Sequence, residues 1–399
     1  MLKKEILGWT LYDLADTAFS ALFITFFYPV FIKVYLGGNE FHIGLAMGLS
    51  LFLSAIFVPF IGAWSDALGK RKPFIFLFTT LCVAATVMVA FSNLFWALVL
   101  GLLASFFYHA ALDVYDALLI TISTQKTIGK ISGLGVAFGY LGTILSLGMA
   151  FIILSLLGWE NKLSIQTILI ATGLFYFVFS LFLFAWTPEH LPGRKVALGR
   201  GARQAFHSLM DSFKKVKKNA SVWFFLLASL LYTDGMNTAI IFLYLYGREQ
   251  LGVTVQQFLP IFAVMAVGAG LGALLFGKVA DALTPRKTLL ILVGVWICVI
   301  LVLLFKTTFV TYIASGIIGG AALGGIWAVT RPMLLSLVAK EKAAEYLGFQ
   351  GLTEKLSGVF GPIVFGWLVV HSGYTAALLS VIVFFIFGFG ILLRVPDKI

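Results

Sequence analysis

Two short stretches of this chain share one pattern: GAWSDALGKRK at residues 62–72 and GKVADALTPRK at residues 277–287. Each stretch begins with a glycine, carries an aspartate four positions later, and ends in an Arg-Lys pair. Both stretches join two long apolar segments. A polar motif that recurs between apolar segments in both halves of a chain indicates an internal duplication.

The composition around these motifs is that of a membrane protein. Of 399 residues, 61% are hydrophobic and 11% are charged, whereas soluble domains have roughly 45–50% apolar and about 25% charged residues. The net charge is +11, but Lys and Arg fall in short runs between apolar segments. This distribution is typical of cytoplasmic membrane loops. We therefore predict an integral membrane protein that does not bind nucleic acid.

Twelve segments are long and apolar enough to cross a bilayer, which takes about 20 residues in a helix. Their residues do not alternate as those of barrel strands do. Lipid offers no partners for backbone polar groups, so each span is predicted to be helical. The predicted spans are 6–36, 43–65, 73–92, 95–124, 131–157, 164–187, 220–247, 257–280, 288–306, 309–339, 346–371 and 374–394.

The distribution of Lys and Arg over the loops predicts that both termini are cytoplasmic. A basic, polar stretch over residues 188–219 separates the first six spans from the last six. It predicts an N-terminal six-helix bundle over 1–187 and a C-terminal six-helix bundle over 220–399. We interpret the stretch between them as a solvated cytoplasmic linker that faces lipid headgroups, rather than as a dedicated binding patch.

Cysteine and glycine patterns add no cofactor to this prediction. Cys82 and Cys298 lie inside apolar segments, where we interpret them as packing residues rather than as disulfide partners or metal ligands. A glycine-rich run at 268–272 lies in mid-span with no strand before it, so it predicts helix packing and not a phosphate-binding loop. We expect no cofactor and no metal, and an ion gradient as the source of energy.

Four further stretches carry a resemblance. They are GWTLYDLADTAF at 8–19, ISGLGVAFGYLG at 131–142, LYTDG at 231–235, and one that runs from Arg331 through AEYLGF at 344–349 to KLSG at 355–358 and Gly361-Pro362. The repeated loops resemble the signature loop of the major facilitator superfamily. All these stretches together resemble the "unknown major facilitator" family, which includes the autophagy-related vacuolar amino-acid effluxers. They lie in both halves, so the resemblance covers essentially the whole chain.

The resemblance implies the major facilitator fold: twelve transmembrane helices in two pseudo-symmetric six-helix bundles, with alternating access to a central cavity. In that fold, spans one, four, seven and ten line the cavity. An amino-acid substrate is implied less directly, because most bacterial members have no assigned solute. Members of the family usually carry Asn where this chain has Asp16. The additional carboxylate is a departure from the family pattern and bears on which substrate the resemblance implies.

Ionisable residues inside spans are costly and therefore mark candidate functional sites. Asp13 and Asp16 lie one turn apart on the first span. His109, Asp113 and Asp116 form one stripe of the fourth span, because their spacing is i, i+4 and i+7. The seventh span adds Asp234 and, one turn later, Asn237. We predict a substrate or coupling-ion site formed by Tyr12, Asp13, Asp16, His109, Asp113, Asp116, Asp234, Asn237, Trp327 and Arg331.

Neighbouring carboxylates in a low dielectric do not both ionise easily, so one proton is readily held and shared. We predict that Asp13 and Asp16, with Asp113 and Asp116, bind H⁺ or Na⁺ and release it when the exposure of the cavity changes. The alternative is a fixed polar network that ties spans one and four together. His109 is either a proton relay or a hydrogen-bonded structural partner of these acids, and a metal site built on them is disfavoured.

Arg331 is the basic group expected in the cavity-facing core. A carrier of phosphorylated or dicarboxylate anions is expected to present several such groups, since Arg pairs suit those oxygens. This argues against a multiply charged anion as solute. Arg331 is predicted either to pair with Asp113 as a gate between the halves, or to pair with Glu354 in its own half. Trp327 on the same span is predicted to line the cavity.

The repeated loops are predicted to have a conformational role. The glycine of each loop is expected to allow close helix packing. The aspartate is expected to accept hydrogen bonds at a helix N-terminus or to pair with the arginine five residues later. The residues concerned are Gly62, Asp66, Arg71, Gly277, Asp281 and Arg286.

Together these observations predict a secondary active transporter in the cytoplasmic membrane, and not an enzyme. It is expected to move a small neutral or zwitterionic solute of the amino-acid or sugar class, coupled to H⁺ or Na⁺, and to act as a monomer in the lipid bilayer. A translocator of lysolipids, other amphiphiles or drugs is the alternative within the same fold. A membrane receptor is the alternative outside transport.

Overall fold

The fold is known from a computed structural model, which describes residues 3–123, 127–189, 219–338 and 343–397. Every regular element in these ranges is a helix. We number the α-helices α1 Lys4–Phe19, α2 Glu40–Leu68, α3 Lys72–Val89, α4 Leu94–Ile122, α5 Ile128–Leu157, α6 Lys162–Trp186, α7 Ala220–Leu251, α8 Val255–Ala282, α9 Pro285–Phe305, α10 Phe309–Leu337, α11 Ala343–Leu356 and α12 Phe360–Leu392.

The first span continues beyond α1 in an unusual helical form. π-Helical turns follow at Ser20–Phe27 and Phe31–Tyr35, with one α-helical turn at Tyr28–Val30 between them. Together these segments form one candidate membrane span over Lys4–Tyr35. π-Helical turns are rare and are often found at functional sites. Here they directly follow α1, which carries Asp13 and Asp16 of the predicted site.

Eleven helical stretches of the described residues are long and apolar enough to cross a membrane. The last of them covers 44 residues, Phe349–Leu392, and a helix of that length would extend about 66 Å, twice the roughly 30 Å of a bilayer core. Its backbone is non-helical at Gly373, where φ is 81°. The predicted eleventh and twelfth spans lie on either side of this glycine. The all-helical membrane class is thus confirmed, while the count of twelve and the side of the termini stay predictions.

The chain forms two compact units. Unit 1 consists of Met1–Gly38 and Leu49–Ser208, and unit 2 of Asn39–Gly48 and Leu209–Ile399, as far as these ranges are described. Unit 2 therefore includes the first residues of α2. Of the predicted linker over 188–219, residues 190–218 lie outside the described residues.

The two units share one packing scheme. In unit 1, α1 packs against α5 and α6, and α3 packs against α4 and α6. In unit 2, α7 packs against α11 and α12, and α9 packs against α10 and α12. Each contact recurs six helices later. This is the structural counterpart of the repeated sequence motif, and it agrees with the predicted pseudo-symmetric bundles.

Glycines allow the closest of these approaches. A Cβ atom added to Gly142 on α5 would overlap the backbone of Leu14 on α1, and one added to Gly324 on α10 would overlap the backbone of Ala269 on α8. Small residues at such crossings let backbones touch, which is how membrane helices gain van der Waals contact without a hydrophobic driving force.

Gly142→Ala is expected to destabilise unit 1, because the added methyl group would meet the Leu14 carbonyl. Over-packing of this kind typically costs about 1–3 kcal/mol. Gly148→Ala is a matched control on the same helix, since its added Cβ would find no atom within 4 Å. Thermal unfolding of the purified protein in detergent should show a lower melting temperature for Gly142→Ala alone. Equal melting temperatures of the two variants would contradict the close approach of α1 and α5.

Candidate functional site

The two carboxylates of α1 lie inside unit 1. Asp16 is only 2% exposed. Its Oδ1 atom accepts a hydrogen bond of 3.1 Å from the hydroxyl of Thr17, and its Oδ2 atom receives no hydrogen bond from a donor group among the described residues. The carboxyl groups of Asp16 and Asp13 lie close enough to share a hydrogen bond when one of them is protonated. Asp13 is half-buried and lies against α5, where a Cβ added to Gly135 would overlap Asp13 Oδ2. Asp16 is therefore a buried carboxylate with one oxygen available.

The charges of α1 and α4 act on one another. Asp13 and Asp116 are both close enough to Asp16 for their negative charges to repel the charge on its carboxylate. Like charges that lie close together are not easily ionised at the same time. The structure thus places Asp13 and Asp116 near Asp16, while the predicted binding of an ion or substrate by these acids stays a prediction.

The exposure of these acids is graded. Asp116 is exposed, Asp13 and Asp113 are half-buried, and Asp16 is buried. His109 is half-buried, and its ring lies edge-on to Tyr108 with the ring centroids 5.0 Å apart. His109, Asp113 and Asp116 all take part in polar or electrostatic interactions.

Aromatic side chains enclose the carboxylates. The hydroxyl of Tyr12 is hydrogen-bonded to the hydroxyls of Thr79 at 2.9 Å and Tyr176 at 2.7 Å. The ring of Tyr12 stacks on that of Tyr115, with 4.4 Å between the centroids. Trp9 stacks on the other side of Tyr115 at 5.0 Å. Tyr12 therefore contributes to the wall of the carboxylate cluster, and its hydroxyl is held by neighbours in its own unit.

Asp234 on α7 has a different environment in unit 2. Its side chain is fully buried. Oδ1 accepts hydrogen bonds from the backbone N–H groups of Gly358 at 2.7 Å and Gly361 at 3.0 Å. Asn237, one turn later, donates to the carbonyl of Ser357 at 3.4 Å. The carboxylate of Asp234 is thus occupied by protein donors, and its predicted part in substrate or ion binding stays a prediction.

The tenth-span residues of the predicted site lie at the surface of unit 2. Arg331 is exposed, and 42% of Trp327 is exposed. Glu354, the acid proposed as partner of Arg331 within its own half, accepts a hydrogen bond from Gln350 at 2.9 Å. Pro332 lies inside α10. The two alternatives for Arg331 stay predictions.

The basic residues of the first signature loop are fixed within unit 1. Arg71 Nη1 donates to the carbonyl of Ala117 on α4 at 2.5 Å, and Lys72 Nζ donates to the carbonyl of Phe184 near the end of α6 at 3.0 Å. Glu189 accepts hydrogen bonds from the backbone N–H groups of Arg71 and Lys72. These bonds satisfy free donors at the start of α3 and free carbonyls at the end of α6.

The second signature loop has an equivalent arrangement in unit 2. Arg286 Nη2 donates to the carbonyl of Leu393 at 2.7 Å, and Lys287 lies 3.7 Å from the carboxylate of Asp397. In both units an acid placed directly after a proline contacts the signature loop: Glu189 accepts from the backbone of Arg71 and Lys72, and Asp397 pairs with the side chain of Lys287. The sequence analysis missed both acids, although the repeated Pro-acid pair after the sixth and twelfth spans could have pointed to them.

The structure corrects the expectation for the glycines of these loops, and the expectation for one aspartate concerns a side chain outside the described residues. The expected close packing at Gly62 and Gly277 is wrong within the described residues, because a Cβ atom added to either would find no atom within 4 Å. The side chain of Asp66 lies outside the described residues, and Asp281 is exposed.

A buried acid at the start of the second span was also missed. Glu40 is 3% exposed and accepts a hydrogen bond from the hydroxyl of Tyr374. Sequence analysis placed Glu40 in a loop, because apolar periodicity begins only after it. A single acid next to a span boundary carries no signal that separates it from an ordinary loop residue.

The fold and the membrane-buried acids define a transporter of the major facilitator superfamily. Among solved structures with this fold, a D-xylose-proton symporter is 14% identical, with a TM-score of 0.77 over 99% of this chain and 98% of that chain. The nucleoside transporter NupG is 16% identical, with a TM-score of 0.73 over 98% of this chain and 100% of that chain.

The chain belongs to the family described as "Vacuole effluxer Atg22 like", whose model matches residues 43–398. A relative from Bacillus subtilis (strain 168), described as the uncharacterized MFS-type transporter YxiO, is 26% identical over 99% of this chain and 95% of its own length. The resemblance found in the sequence motifs is confirmed.

Asp16→Asn is expected to melt at or above the temperature of the unmodified protein, because Asp16 Oδ2 has no partner to lose and the substitution removes a buried acid. Tyr12→Phe is the contrasting variant. It removes a hydroxyl that is bonded to both Thr79 and Tyr176, at a cost of about 1 kcal/mol per hydrogen bond. A fall in melting temperature for Asp16→Asn as large as that for Tyr12→Phe would show that Asp16 is part of a fixed structural network.

Proposed function

We propose that this protein is a proton-coupled secondary transporter of a small neutral or zwitterionic solute, of the amino-acid or sugar class. The observation that carries the proposal is the state of Asp16: a buried carboxylate with an unpartnered oxygen, repelled by two other acids. An ionisable group kept in this condition inside a membrane bundle is costly. Reversible binding of a cation removes that cost during part of a transport cycle.

The geometry favours a proton over Na⁺ as the coupling ion. A metal cation takes several oxygen ligands at once. A proton needs one carboxylate oxygen. The graded exposure from Asp116 through Asp13 to Asp16 supplies steps along which a proton can move.

The solute class rests on charge and on the comparisons. Arg71, which is buried in unit 1, already donates to a backbone carbonyl, and Arg331 is the basic residue of the predicted cavity face. With Arg71 already bonded to the protein, Arg331 is the cationic side chain available to the solute, which suits an uncharged or zwitterionic solute better than a multiply charged anion. A sugar-proton symporter and a nucleoside transporter share the fold, and the family is described as vacuolar effluxers.

The cellular setting is part of the same proposal. We place the chain in the cytoplasmic membrane, where a proton gradient is available, and expect it to act as a monomer in the bilayer. The Bacillus subtilis relative, which matches along almost its whole length, supports this location more directly than the vacuolar description of the family.

The test is uptake into proteoliposomes that contain the purified protein. Neutral amino acids, hexoses, pentoses and nucleosides are offered singly, with an imposed pH gradient, with an imposed Na⁺ gradient, and with neither. We expect one class to accumulate when the pH gradient is present, and no added effect of Na⁺. Accumulation with Na⁺ alone would contradict proton coupling, and failure of every class to enter would contradict the solute assignment.

Asp16→Asn is expected to abolish accumulation driven by the pH gradient while leaving exchange of labelled for unlabelled solute within about threefold of the unmodified protein. Exchange moves the loaded carrier in both directions and needs no net proton movement. Asp13→Asn, Asp113→Asn and Asp116→Asn are measured in parallel. Full accumulation in Asp16→Asn and in the other three variants would remove the coupling site from this cluster.

A further inference from the structure

The eleventh span is broken inside the membrane segment. α11 ends at Leu356 and α12 begins at Phe360. Gly358 lies between them with φ of 101°, a conformation that glycine adopts readily and other residues rarely adopt. A break within an apolar span exposes backbone N–H groups that lipid cannot satisfy. The structure must supply acceptors for them.

Asp234 supplies these acceptors from the seventh span. Its Oδ1 atom accepts from Gly358 N at 2.7 Å and from Gly361 N at 3.0 Å, and its Oδ2 atom lies 3.1 Å from Gly361 N. The side chain is fully buried. The start of a helix carries partial positive charge, so a carboxylate is well placed there without any bound cation.

Neighbouring residues hold this arrangement closely. Asn237 donates to the Ser357 carbonyl at 3.4 Å, and Thr238 donates to the backbone carbonyl of Asp234 at 2.7 Å. A Cβ atom added to Gly361 would overlap Thr238 and would lie 2.6 Å from Asp234 Oδ1. Only glycine at position 361 lets the carboxylate approach the first turn of α12 this closely.

The same turn packs against the beginning of α2. A Cβ atom added to Gly44 would overlap the Pro362 carbonyl, and one added to Gly48 would lie 2.6 Å from the Val359 carbonyl. All these residues belong to unit 2. The N–H groups held by Asp234 and the carbonyls that meet these glycines are in the same turn, so Asp234 fixes where the carbonyls lie.

We propose that Asp234 is a positioning residue for transport. Its carboxylate caps the first turn of α12 across the break in the eleventh span, and so holds that turn against Gly44 and Gly48. On this assignment Asp234 carries no coupling ion, and ion coupling belongs to the acids of unit 1. Although the sequence grouped Asp234 with those acids, its environment separates it from them.

Hydrogen–deuterium exchange over residues 356–366 of the purified protein tests this directly and needs no solute. Asp234→Ala is expected to speed exchange at the amides of Gly358 and Gly361 by about tenfold or more, because it removes the charged acceptor. Asp234→Asn is expected to stay within about threefold of the unmodified protein, since an amide oxygen can still accept both hydrogen bonds. Unchanged exchange in Asp234→Ala would overturn the proposal.

Gly361→Ala provides a second route if Asp234→Ala does not fold, because the added methyl group pushes against the cap. It should raise exchange at the same amides. Gly351→Ala on α11 is the matched control, since its Cβ would find no atom within 4 Å, and it should leave exchange at these amides unchanged. Equal exchange in the two glycine variants would overturn the proposal.

Transport by Asp234→Asn separates positioning from ion coupling. We expect accumulation driven by a pH gradient to stay within about threefold of the unmodified protein, because the cap is preserved. Loss of accumulation with retained exchange in Asp234→Asn would assign a coupling role to Asp234 and overturn the proposal. The exchange measurement on the amides stands even if no solute is found, so its failure is distinct from failure of the proposed function.

Discussion

The cost of holding a carboxylate inside an apolar helix bundle governs this structure. Two acids meet that cost in opposite ways. Asp234 is surrounded by backbone donors at the start of a helix, so its charge is stabilised by fixed dipoles. Asp16 has one hydroxyl donor and one unpartnered oxygen, with two further acids nearby. The first arrangement is complete without a ligand, whereas the second leaves a carboxylate oxygen for a cation, which we propose to be a proton.

The same logic extends to the ends of the helices. In unit 1, Arg71 and Lys72 donate to carbonyls on neighbouring helices, and Glu189 accepts from their backbone N–H groups. In unit 2, Arg286 donates to carbonyls at the end of α12, and Lys287 pairs with Asp397. Free backbone groups at helix ends are thereby satisfied by charged side chains. The packing scheme of the helices recurs six helices apart, so the duplication is visible in helix contacts as well as in sequence.

Much of the fold could be predicted because hydropathy and repeats report directly on burial in lipid. The acids of α1 and α4 could be grouped because helical spacing fixes which residues share a face. The break at Ser357–Val359 could not be predicted, since an apolar run has the same composition whether its backbone is continuous or capped. The role of Asp234 depends on Gly358 and Gly361, which are far away in sequence. The close packing expected at Gly62 is not found among the described residues. A shared sequence motif shows that two segments are related, but it does not specify which atoms they contact.

The most direct measurement follows the proton itself. A pH-sensitive dye inside proteoliposomes records internal pH while a transported solute enters down its own gradient, with no pH gradient imposed at the start. The account predicts that the interior acidifies as solute enters through the unmodified protein, and that Asp16→Asn admits solute with no change in internal pH. Solute entry through the unmodified protein with no change in internal pH would contradict the claim that the buried carboxylate carries a proton.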